Sequence, residues 1–456
     1  MTSTVEISLW LLVLILLFAA ITFASHFLFP SVRWFFRGRV ERAIARLNQR
    51  LERPIEPFKL MRRQDKIVRL IYDPAVIQAV VDHARETGVP ESVSFEAAKR
   101  YAREIVPGFS TLLYFGVAIR LARWLSKLLY RVRIGRIDAA LNGLDPEATV
   151  IFVINHRSNM DYVLVTWLVA QRSAMSYAVG EWARVWPLSR LIRAMGAYFI
   201  RRNSGNPLYR RVLARYVQMA TAEGTTQAVF PEGGLSPDGR VGAARMGLLH
   251  YIVSGFNPAG RDVVFVPVGL CYDRVLEDRL LTEAGKSGKR RFRANPVTIA
   301  RFIARMLWRK LRGRFAGFGT AAVGFGPPVS LRHWLETAPD RTTEALGADL
   351  MARIAQSVPV IPVPLVASVM MEGPVVEADL PAKLEDLMAR LKDEGRALRV
   401  PEMSKLIEQG LRPLVARGVL AQTPAGLAVV PGQEPLLAFY AATVLQSIDM
   451  HSATAS

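Results

Sequence analysis

The sequence predicts an α/β fold in which a mostly parallel sheet is flanked by helices, with an N-terminal transmembrane helix and helical flanking domains. Three observations support this prediction. Between residues 148 and 331, short β-branched runs alternate with helical runs, which is typical of a parallel sheet with crossover helices. Residues 7–29 form an apolar run without charge, and residues 336–456 have little strand patterning. We therefore expect an α/β domain between an N-terminal anchor (residues 1–30) and a helical C-terminal domain.

The N-terminal apolar run is long enough to cross a bilayer as a helix, because about 20 apolar residues suffice for a span. A cleaved signal peptide would begin with basic residues and have a shorter apolar stretch, whereas Glu6 is the only charge before this run. Basic residues follow the run at Arg33, Arg37, Arg39, Arg42, Arg46 and Arg50. By the positive-inside rule, we expect a single-pass anchor with the remaining chain in the cytoplasm.

A helical region is expected over residues 31–108, followed by an amphipathic membrane-interface helix over residues 109–135. In that helix, cations recur every three or four residues and share one face, at Arg120, Arg123, Lys127 and Arg131. An interfacial helix would place these cations at lipid headgroups. A helix packed on the protein's own core with a solvated basic face fits the same spacing, so both interpretations stay open. A second basic stripe lies at Arg301, Arg305, Arg309 and Arg312.

The composition narrows the class of partner. The 456 residues are 51% hydrophobic and 21% charged, and 59 Lys and Arg against 39 Asp and Glu give a formal net charge of +20. Such an excess predicts an acidic partner: anionic lipid headgroups, phosphorylated substrates, an acidic carrier or nucleic acid. Because the basic stripes adjoin apolar faces and follow a membrane anchor, anionic membrane lipids are favoured and no nucleic acid is expected. The single cysteine, Cys271, excludes an internal disulfide.

The α/β domain is expected over residues 136–335. Its strand-like runs lie at residues 149–154, 197–200, 227–230, 263–268 and 321–325. Helical runs lie between them at residues 161–171, 187–195, 207–222 and 243–253. Because most of these strands are expected to be parallel, their carboxyl ends should meet at one crevice. After this domain, residues 336–456 are expected to be mainly helical, with one strand-like run at residues 427–430.

A histidine and an aspartate follow the first of these strands at a spacing of five residues, His156 and Asp161. They lie at a predicted strand-to-helix turn, where a rigid sheet can present side chains to a cleft. A neutral imidazole there can take a proton from an alcohol, and a carboxylate one turn away can hold its tautomer. No serine or cysteine nucleophile is needed if the alcohol is itself the acceptor substrate.

Three further signals lie at the other predicted strands. Arg201 and Arg202 end the second strand, and a guanidinium group can pair with two phosphate oxygens at once. Glu232 precedes a Gly-Gly turn after the third strand, where backbone N–H groups can line a polar pocket. Val-Pro-Val at residues 266–268 predicts an apolar wall. Phosphate-binding arginines beside a general base indicate a site for a phosphorylated alcohol.

These four blocks, in this order, resemble the glycerol-3-phosphate and lysophosphatidate acyltransferases, and among them the bacterial membrane-bound glycerol-3-phosphate 1-O-acyltransferases. Residues 156–162, His-Arg-Ser-Asn-Met-Asp-Tyr, look like the first family block with its His-X4-Asp motif. Residues 196–202, 230–240 and 265–268 are similar to the second, third and fourth blocks. The likeness covers most of residues 60–335 and is weaker over the tail.

The resemblance implies transfer of a fatty acyl group from a thioester to the sn-1 hydroxyl of glycerol 3-phosphate, which gives lysophosphatidate for phospholipid biosynthesis. It implies His156 as general base, Asp161 as its orienting partner, an inner (cytoplasmic) membrane location, and no metal or cofactor. The co-substrate is acyl-CoA or acyl carrier protein. Arg202, with Arg201, is expected to hold the phosphate, and Val266 and Pro267 to line the acyl-chain side. The full set of expected substrate-binding residues is Arg157, Ser158, Phe199, Ile200, Arg201, Arg202, Glu232, Gly233, Gly234, Ser236, Arg240, Arg245, Val266 and Pro267.

Departures from the family pattern leave the acceptor open. The family's third block carries basic residues where this chain has Leu235 and Pro237, so we expect Arg240 or Arg245 to substitute at the phosphate. The sequence Phe-Pro-Glu-Gly at residues 230–233 looks more like the lysophosphatidate branch, which makes 1-acylglycerol-3-phosphate the alternative acceptor. A catalytically inert, lipid-binding scaffold of the same fold is a further alternative, against which the intact His156 and its partners argue.

Overall fold

The structure is a computed structural model that describes residues 8–23, 42, 44–49, 51, 53–135, 141–170, 173–180, 188–201, 204–287, 296–313, 317–338, 340–396, 398 and 400–454. The chain divides into two compact units, residues 1–54 and residues 55–456. Helix α1 (Leu9–Phe23), in the first unit, has 15 residues, all of them uncharged. The predicted span over residues 7–29 extends beyond the described residues at both ends.

No single helix within the described part of the chain has both the length and the hydropathy of a bilayer span. Two consecutive helices, Thr343–Ser357 and Pro362–Met370, meet those criteria together, and they are bent by 96° relative to one another.

The second unit is built around an eight-stranded sheet with the order β1-β7-β6-β2-β5-β3-β4, in which β8 also pairs with β6. Its strands are β1 (Arg131–Ile134), β2 (Thr149–Ile154), β3 (Ser176–Val179), β4 (Tyr198–Phe199), β5 (Gln227–Val229), β6 (Val263–Tyr272), β7 (Thr320–Phe325) and β8 (Val329–Ser330). The pairs β1–β7, β2–β5, β2–β6, β3–β4 and β3–β5 are parallel, whereas β6–β7 and β6–β8 are antiparallel. The predicted α/β fold with a mostly parallel sheet is therefore confirmed.

Helices precede, separate and follow the strands. Before the sheet lie α2 (Pro57–Leu60), α3 (Arg63–Ile71), α4 (Pro74–Thr87), α5 (Glu91–Ile105), and a π-helical turn (Leu112–Ala118) that continues into α6 (Ile119–Leu129). Between strands lie α7 (Met160–Val169), α8 (Leu188–Ala194), α9 (Pro207–Ala222), α10 (Gly247–Ser254), α11 (Asp278–Ser287) and α12 (Pro296–Leu311). After the sheet come α13 (Leu331–Thr337), α14 (Thr343–Ser357), α15 (Pro362–Met370), α16 (Leu380–Asp393), α17 (Met403–Ala416), the hairpin β9 (Leu420–Thr423) and β10 (Gly426–Val429), and α18 (Glu434–Thr454).

The central strands are buried on both faces. All six residues of β2 and all ten of β6 are buried, and successive side chains of a strand point to opposite faces. Val150, Phe152 and Ile154 pack in a core with helices α7, α15 and α18. Ile151 and Val153 pack in a second core with α5, α9, α10 and α14. The C-terminal helices thus cover the same sheet as the helices that precede them.

Helix α9 begins where its sequence provides a cap. Asn206 accepts a hydrogen bond from the Tyr209 backbone N–H, and Pro207 occupies the first helical position, where its missing N–H costs nothing. The described helix matches the predicted run over residues 207–222. This cap fixes the entry of α9 beside the end of β4.

Residues 109–135 were predicted to form one amphipathic helix. The structure instead has a π-helical turn, helix α6 and strand β1 in this segment. The helix ends at Leu129, and Arg131–Ile134 form β1. Extended backbone lets these residues pair in parallel with β7 at the sheet edge. Helix α6 buries Ala122, Ser126 and Leu128, and its basic residues are exposed.

Candidate active site

The turn after β2 is anchored to the neighbouring strand by Asn155. Its Nδ2 donates to the Leu270 carbonyl oxygen at 3.0 Å, and its Oδ1 accepts from the Leu270 N–H at 2.7 Å. The residue after it, His156, therefore lies at a fixed point beyond the carboxyl end of a central strand, as predicted. The edge formed by parallel strand ends is where α/β proteins place their ligands.

His156 and Asp161 are in direct contact. His156 Nδ1 lies 2.9 Å from Asp161 Oδ2, and both side chains are buried, with 2% and 0% exposed. Because the carboxylate occupies Nδ1, the other ring nitrogen, Nε2, is the one that can take a proton. This is the geometry of a general base with an orienting partner.

Within the described part of the chain, four donors hold the Asp161 carboxylate. Besides His156, the backbone N–H groups of Arg157 and Ser158 donate to Oδ2 at 2.7 Å and 3.0 Å. The Tyr272 hydroxyl at the end of β6 donates to Oδ1 at 2.7 Å. A carboxylate fixed by so many donors cannot rotate away from the imidazole.

The backbone of His156 is bound on both sides by the segment that follows β5. Its N–H donates to Glu232 Oε1 at 2.8 Å, and its carbonyl oxygen accepts from the Ser236 N–H at 2.9 Å. Burial raises the pKa of Glu232 to about 7, although hydrogen bonds from the backbone of His156 and Gly242 and the charge of Arg157 favour its ionised form. We call residues 231–242 the acceptor loop.

A cleft of about 390 Å³ opens beside His156. The imidazole packs against Phe230, with ring centroids 4.4 Å apart, and against Tyr162 at 5.3 Å. These rings form an apolar wall next to the base. The cleft is further lined by β3, the residues that follow β4, α9, the acceptor loop, Arg245 and α10, among them Ala178, Ile200, Arg201, Tyr209, Arg210, Gly233 and Tyr251.

Arg201 lines the cleft with its charge already paired. Its Nε and Nη2 donate to the two carboxylate oxygens of Glu104 at 2.9 Å and 2.6 Å, and the guanidinium lies over the rings of Tyr101 and Tyr209. The bond to Glu104 raises the pKa of Arg201. A phosphate would have to share this arginine with a carboxylate. Arg202, the other arginine predicted at the phosphate, lies outside the described residues.

Two other cleft arginines, Arg210 and Arg245, have no ion pair with any residue that the structure describes. Arg245 is exposed, and its side chain crosses Gly233, where a Cβ would lie 2.6 Å from Arg245 Cδ. Gly233 also has φ +65°, a left-handed conformation that favours glycine. The glycine thus leaves room for the Arg245 side chain, which lines the cleft, and its predicted role at the phosphate stays a prediction.

Arg157 lies away from the cleft, although it was expected to bind substrate. Its guanidinium is buried, with 1% exposed, and donates to the Gly239 carbonyl oxygen. It lies 4.8 Å from the centroid of the Phe439 ring on α18. The physical reason is that the partners of the guanidinium, the Gly239 carbonyl oxygen and the Phe439 ring, lie away from the cleft and hold the side chain there.

Ser158 also has a structural partner. Its Oγ donates to Glu277 Oε2 at 2.8 Å, while the backbone N–H and the amide of Asn159 donate to Glu277 Oε1. Burial raises the pKa of Glu277, and these bonds oppose that rise. Glu277, like Tyr272, comes from the chain beyond β2 and could not be predicted from the block around His156.

Several other residues that were expected to bind substrate do not line the cleft and instead make contacts within the acceptor loop, at the surface or in the core. Ser236 Oγ donates to the Arg240 carbonyl at 2.7 Å, and Gly234 is buried in the same loop. Arg240 pairs with Asp449 on the surface at 3.1 Å and does not line the cleft. The side chains of Phe199, Val266 and Pro267 are buried in the strands and do not line it either, because β4 and β6 are covered on both faces.

Two family models match the chain. One described as Acyltransferase matches residues 138–271. The other, described as Glycerol-3-phosphate acyltransferase C-terminal region, matches residues 304–455. The first match contains His156, Asp161 and the whole acceptor loop. It ends at Cys271 in β6, one residue before Tyr272, whose hydroxyl binds Asp161.

Curated relatives named glycerol-3-phosphate acyltransferase are similar to this chain. The protein from Pseudomonas entomophila (strain L48) is 29% identical over 327 residues, which are 67% of this chain and 38% of that protein. The protein from Pseudomonas fluorescens (strain SBW25) is 29% identical over 367 residues, 75% of this chain and 42% of that protein. The protein from Shewanella sp. (strain ANA-3) is 30% identical over 308 residues, 66% of this chain and 37% of that protein. The chain thus spans less than half the length of the curated relatives it matches.

Among solved structures, the 1-acyl-sn-glycerophosphate (LPA) acyltransferase PlsC from Thermotoga maritima aligns over 54% of this chain and 77% of that chain, at 17% identity and a TM-score of 0.31. From the two family matches, the chain carries an acyltransferase domain over residues 138–271, followed by a glycerol-3-phosphate acyltransferase C-terminal region over residues 304–455.

Proposed function

We propose that this chain is a glycerol-3-phosphate 1-O-acyltransferase that uses an acyl thioester, acyl-CoA or acyl carrier protein, as donor. The observation that carries the proposal is the contact of 2.9 Å between His156 Nδ1 and Asp161 at the wall of a cleft that also contains Arg210 and Arg245. A base and cations in one cleft suit an acceptor that has both a hydroxyl and a phosphate. The names of the curated relatives support the same acceptor.

The reaction needs one proton to move twice. The acceptor hydroxyl oxygen attacks the thioester carbonyl carbon while His156 Nε2 takes the hydroxyl proton. The tetrahedral intermediate then collapses, the carbon–sulfur bond breaks, and the thiolate takes the proton back from the imidazolium. Asp161 stabilises the imidazolium between these steps and keeps the ring aligned. The acyl donor is already activated, so transfer to the alcohol needs no further energy source.

The tetrahedral intermediate also carries a negative oxygen that donors must stabilise. The N–H groups of Arg157 and Ser158 donate to Asp161, and the N–H of Gly233 donates to the Phe230 carbonyl oxygen. These three groups are therefore engaged in the resting structure. They can donate to the oxyanion only if the His156 turn or the acceptor loop rearranges when substrates bind.

We expect His156→Ala to abolish acyl transfer, because no other histidine among the described residues lines the cleft. The full chain, purified with lipid or detergent, is offered glycerol 3-phosphate or 1-acylglycerol-3-phosphate separately, each with acyl-CoA and with acylated acyl carrier protein. Labelled acyl transfer to each acceptor is measured. His333→Ala, which changes an exposed histidine on α13, is the matched control.

Transfer to glycerol 3-phosphate that is lost in His156→Ala and kept in His333→Ala supports the proposal. Transfer to 1-acylglycerol-3-phosphate alone would assign the lysophosphatidate reaction, which the sequence at residues 230–233 resembles. An intact, folded chain that transfers to neither acceptor would favour the inert lipid-binding scaffold.

We also propose that the enzyme works at the cytoplasmic surface of the inner membrane, anchored by the apolar run over residues 7–29 and held by anionic lipids. The support in the second unit is a basic groove of about 310 Å³, lined by Arg120, Arg123, Trp124, Lys127, Leu128 and Lys310. The groove brings α6 together with the end of α12, where Trp308 and Leu311 are 55% and 83% exposed. Exposed cations beside exposed apolar side chains are the pattern of a membrane-surface contact.

A further inference from the structure

The C-terminal helix α18 lies against the two segments that hold His156. Arg157, the residue after His156, donates to the Gly239 carbonyl oxygen in the acceptor loop, and its guanidinium stacks over Phe439 of α18. Gly239 is packed so closely that a Cβ there would collide with the Phe439 carbonyl oxygen. The catalytic turn, the acceptor loop and α18 therefore meet at one point.

The buried guanidinium of Arg157 depends on this contact. Its Nε and Nη2 have no hydrogen-bond partner among the described residues. Leaving such groups buried is costly unless another interaction compensates, and an aromatic face attracts a stacked guanidinium. Phe439 supplies that face, so α18 contributes directly to the placement of the residue next to the base.

A second contact joins α18 to the acceptor loop. The amide of Gln446 makes two hydrogen bonds to the backbone of Val241: Nε2 donates to the carbonyl oxygen at 2.8 Å, and Oε1 accepts from the N–H at 2.8 Å. The side chain thus pairs with the loop as a neighbouring strand would. Arg240 and Asp449 form a further ion pair nearby, but both are exposed, at 48% and 59%, and such pairs contribute little.

The acceptor loop passes this constraint to His156. The Ser236 N–H donates to the His156 carbonyl oxygen at 2.9 Å, and Glu232 accepts the His156 N–H at 2.8 Å. The same loop contributes Gly233 to the cleft. A displacement of the loop therefore changes both the position of the base and the shape of the acceptor side of the cleft.

We propose that α18 is a positioning element of the active site and that Gln446 is a positioning residue, which acts on His156 through the acceptor loop. The predicted changes in kinetics rest on the proposed function. The contacts themselves belong to the resting protein, so they can be tested without any substrate.

The test compares Gln446→Met with wild type and with Gln78→Met in the full chain. Methionine keeps the length of the side chain and removes both hydrogen bonds to Val241. Gln78, whose amide donates to Asp82 on the surface of α4, is the matched control. Two measurements are made: hydrogen–deuterium exchange of the acceptor loop and the His156 turn, and steady-state kinetics with each substrate varied.

In Gln446→Met we expect faster amide exchange over residues 232–242 and 156–158. We also expect kcat to fall by about tenfold to a hundredfold, because misplacing a catalytic group by about 1 Å has effects of that size. The Michaelis constant for glycerol 3-phosphate should rise, that for the thioester should stay within about twofold, and Gln78→Met should match wild type.

Unchanged exchange in both segments overturns the proposal, whatever the kinetics. Faster exchange with unchanged kcat and unchanged acceptor Michaelis constant also overturns it, because α18 would then stabilise the loop without positioning the base. If the wild-type chain transfers to neither acceptor, the proposed function fails, and exchange alone decides whether α18 controls the His156 turn.

Discussion

At the scale of single residues, we predict that Arg245, one of two cleft arginines without an ion pair to a described residue, binds the phosphate of the acceptor. It lies in the cleft with His156 and has no ion pair with any described residue, whereas Arg201 is shared with Glu104. We expect Arg245→Gln to raise the Michaelis constant for glycerol 3-phosphate by about tenfold or more, since hydrogen bonds to charged groups contribute about 1.5–3 kcal/mol. Arg412→Gln, which removes an exposed arginine from α17, controls for the change in net charge. An equal rise for acceptor and thioester would contradict the assignment.

Glu232 gives the protein a pH-dependent stability of defined sign. Burial raises its pKa to about 7, above the value of about 4.3 for an unfolded glutamate. Between these two pH values the folded state holds a proton that the unfolded state has released, so the free energy of unfolding falls as pH rises. The contribution is fully present below about pH 4.3 and is lost through about pH 7, by up to about 4 kcal/mol in total.

We expect Glu232→Gln to reduce this slope, because a glutamine has no proton to lose. The measurement is denaturant unfolding of wild type and variant from about pH 5 to about pH 7.5. Glu385→Gln, on the surface of α16, is the control. The remaining slope comes from other buried carboxyls, such as Asp273 and Glu277, whose pKa values burial also raises. Parallel profiles for wild type and Glu232→Gln would show that the carboxyl is ionised throughout this range.

Sequence spacing was sufficient to predict the contact between His156 and Asp161, because both lie in one turn. It could not predict Tyr272, which reaches Asp161 from 111 positions further along the chain, since that contact depends on the register of β6 against β2. It was also insufficient for Arg157, whose side-chain direction is determined by Phe439. Residue types within a motif indicate chemistry, whereas side-chain direction depends on distant parts of the fold.

At the scale of elements, burial helped to predict β2 but was not sufficient for every strand, since β3 is buried within the sheet and was not predicted. The buried run of β2 was predicted with its bounds, because an apolar β-branched run of six residues has few alternatives. Strand β1 was missed because it carries Arg131 and Arg133 and is partly exposed at the sheet edge. Strand β6 extends to Tyr272, four residues beyond the prediction, through Gly269. A Cβ at Gly269 would collide with the backbone of Val358, so the glycine reflects close packing and not the end of a strand.

Helix α6 has the buried face that the packed-helix interpretation requires, and the membrane contact of its basic face stays a prediction. Its face with Ala122, Ser126 and Leu128 is buried in the protein, which the sequence of a packed helix requires. Its opposite face exposes Arg120, Arg123 and Lys127. The periodicity of the cations therefore predicted the helix correctly, but it could not decide what the exposed face contacts.

At the scale of the whole molecule, the C-terminal helices form one core with the sheet. Leu437, Phe439 and Tyr440 of α18 belong to the same buried cluster as Phe152 and Ile154 of β2. A helical tail was predicted from the sequence, but its contact with the His156 turn was not. Amphipathic periodicity identifies the buried face of a helix but not the surface that it covers.

The net charge of +20 is a whole-molecule property whose effect should be concentrated at the basic groove. We expect the full chain to bind vesicles containing anionic lipid more tightly than neutral vesicles, and the difference to shrink as salt rises to about 0.5 M, because exposed charges are screened. Replacing Arg120, Arg123 and Lys127 with glutamine should weaken binding to anionic vesicles by about tenfold or more, since each basic residue near such a surface contributes about 1 kcal/mol.

The matched control variant has glutamine in place of Arg341, Lys383 and Arg412, which are exposed elsewhere on the protein. It therefore loses the same amount of positive charge. The N-terminal apolar run is common to all three proteins, so a difference between the two variants reports the groove. Equal binding of both variants would mean that net charge acts without a particular surface, and binding that does not change with salt would exclude the groove as a headgroup contact.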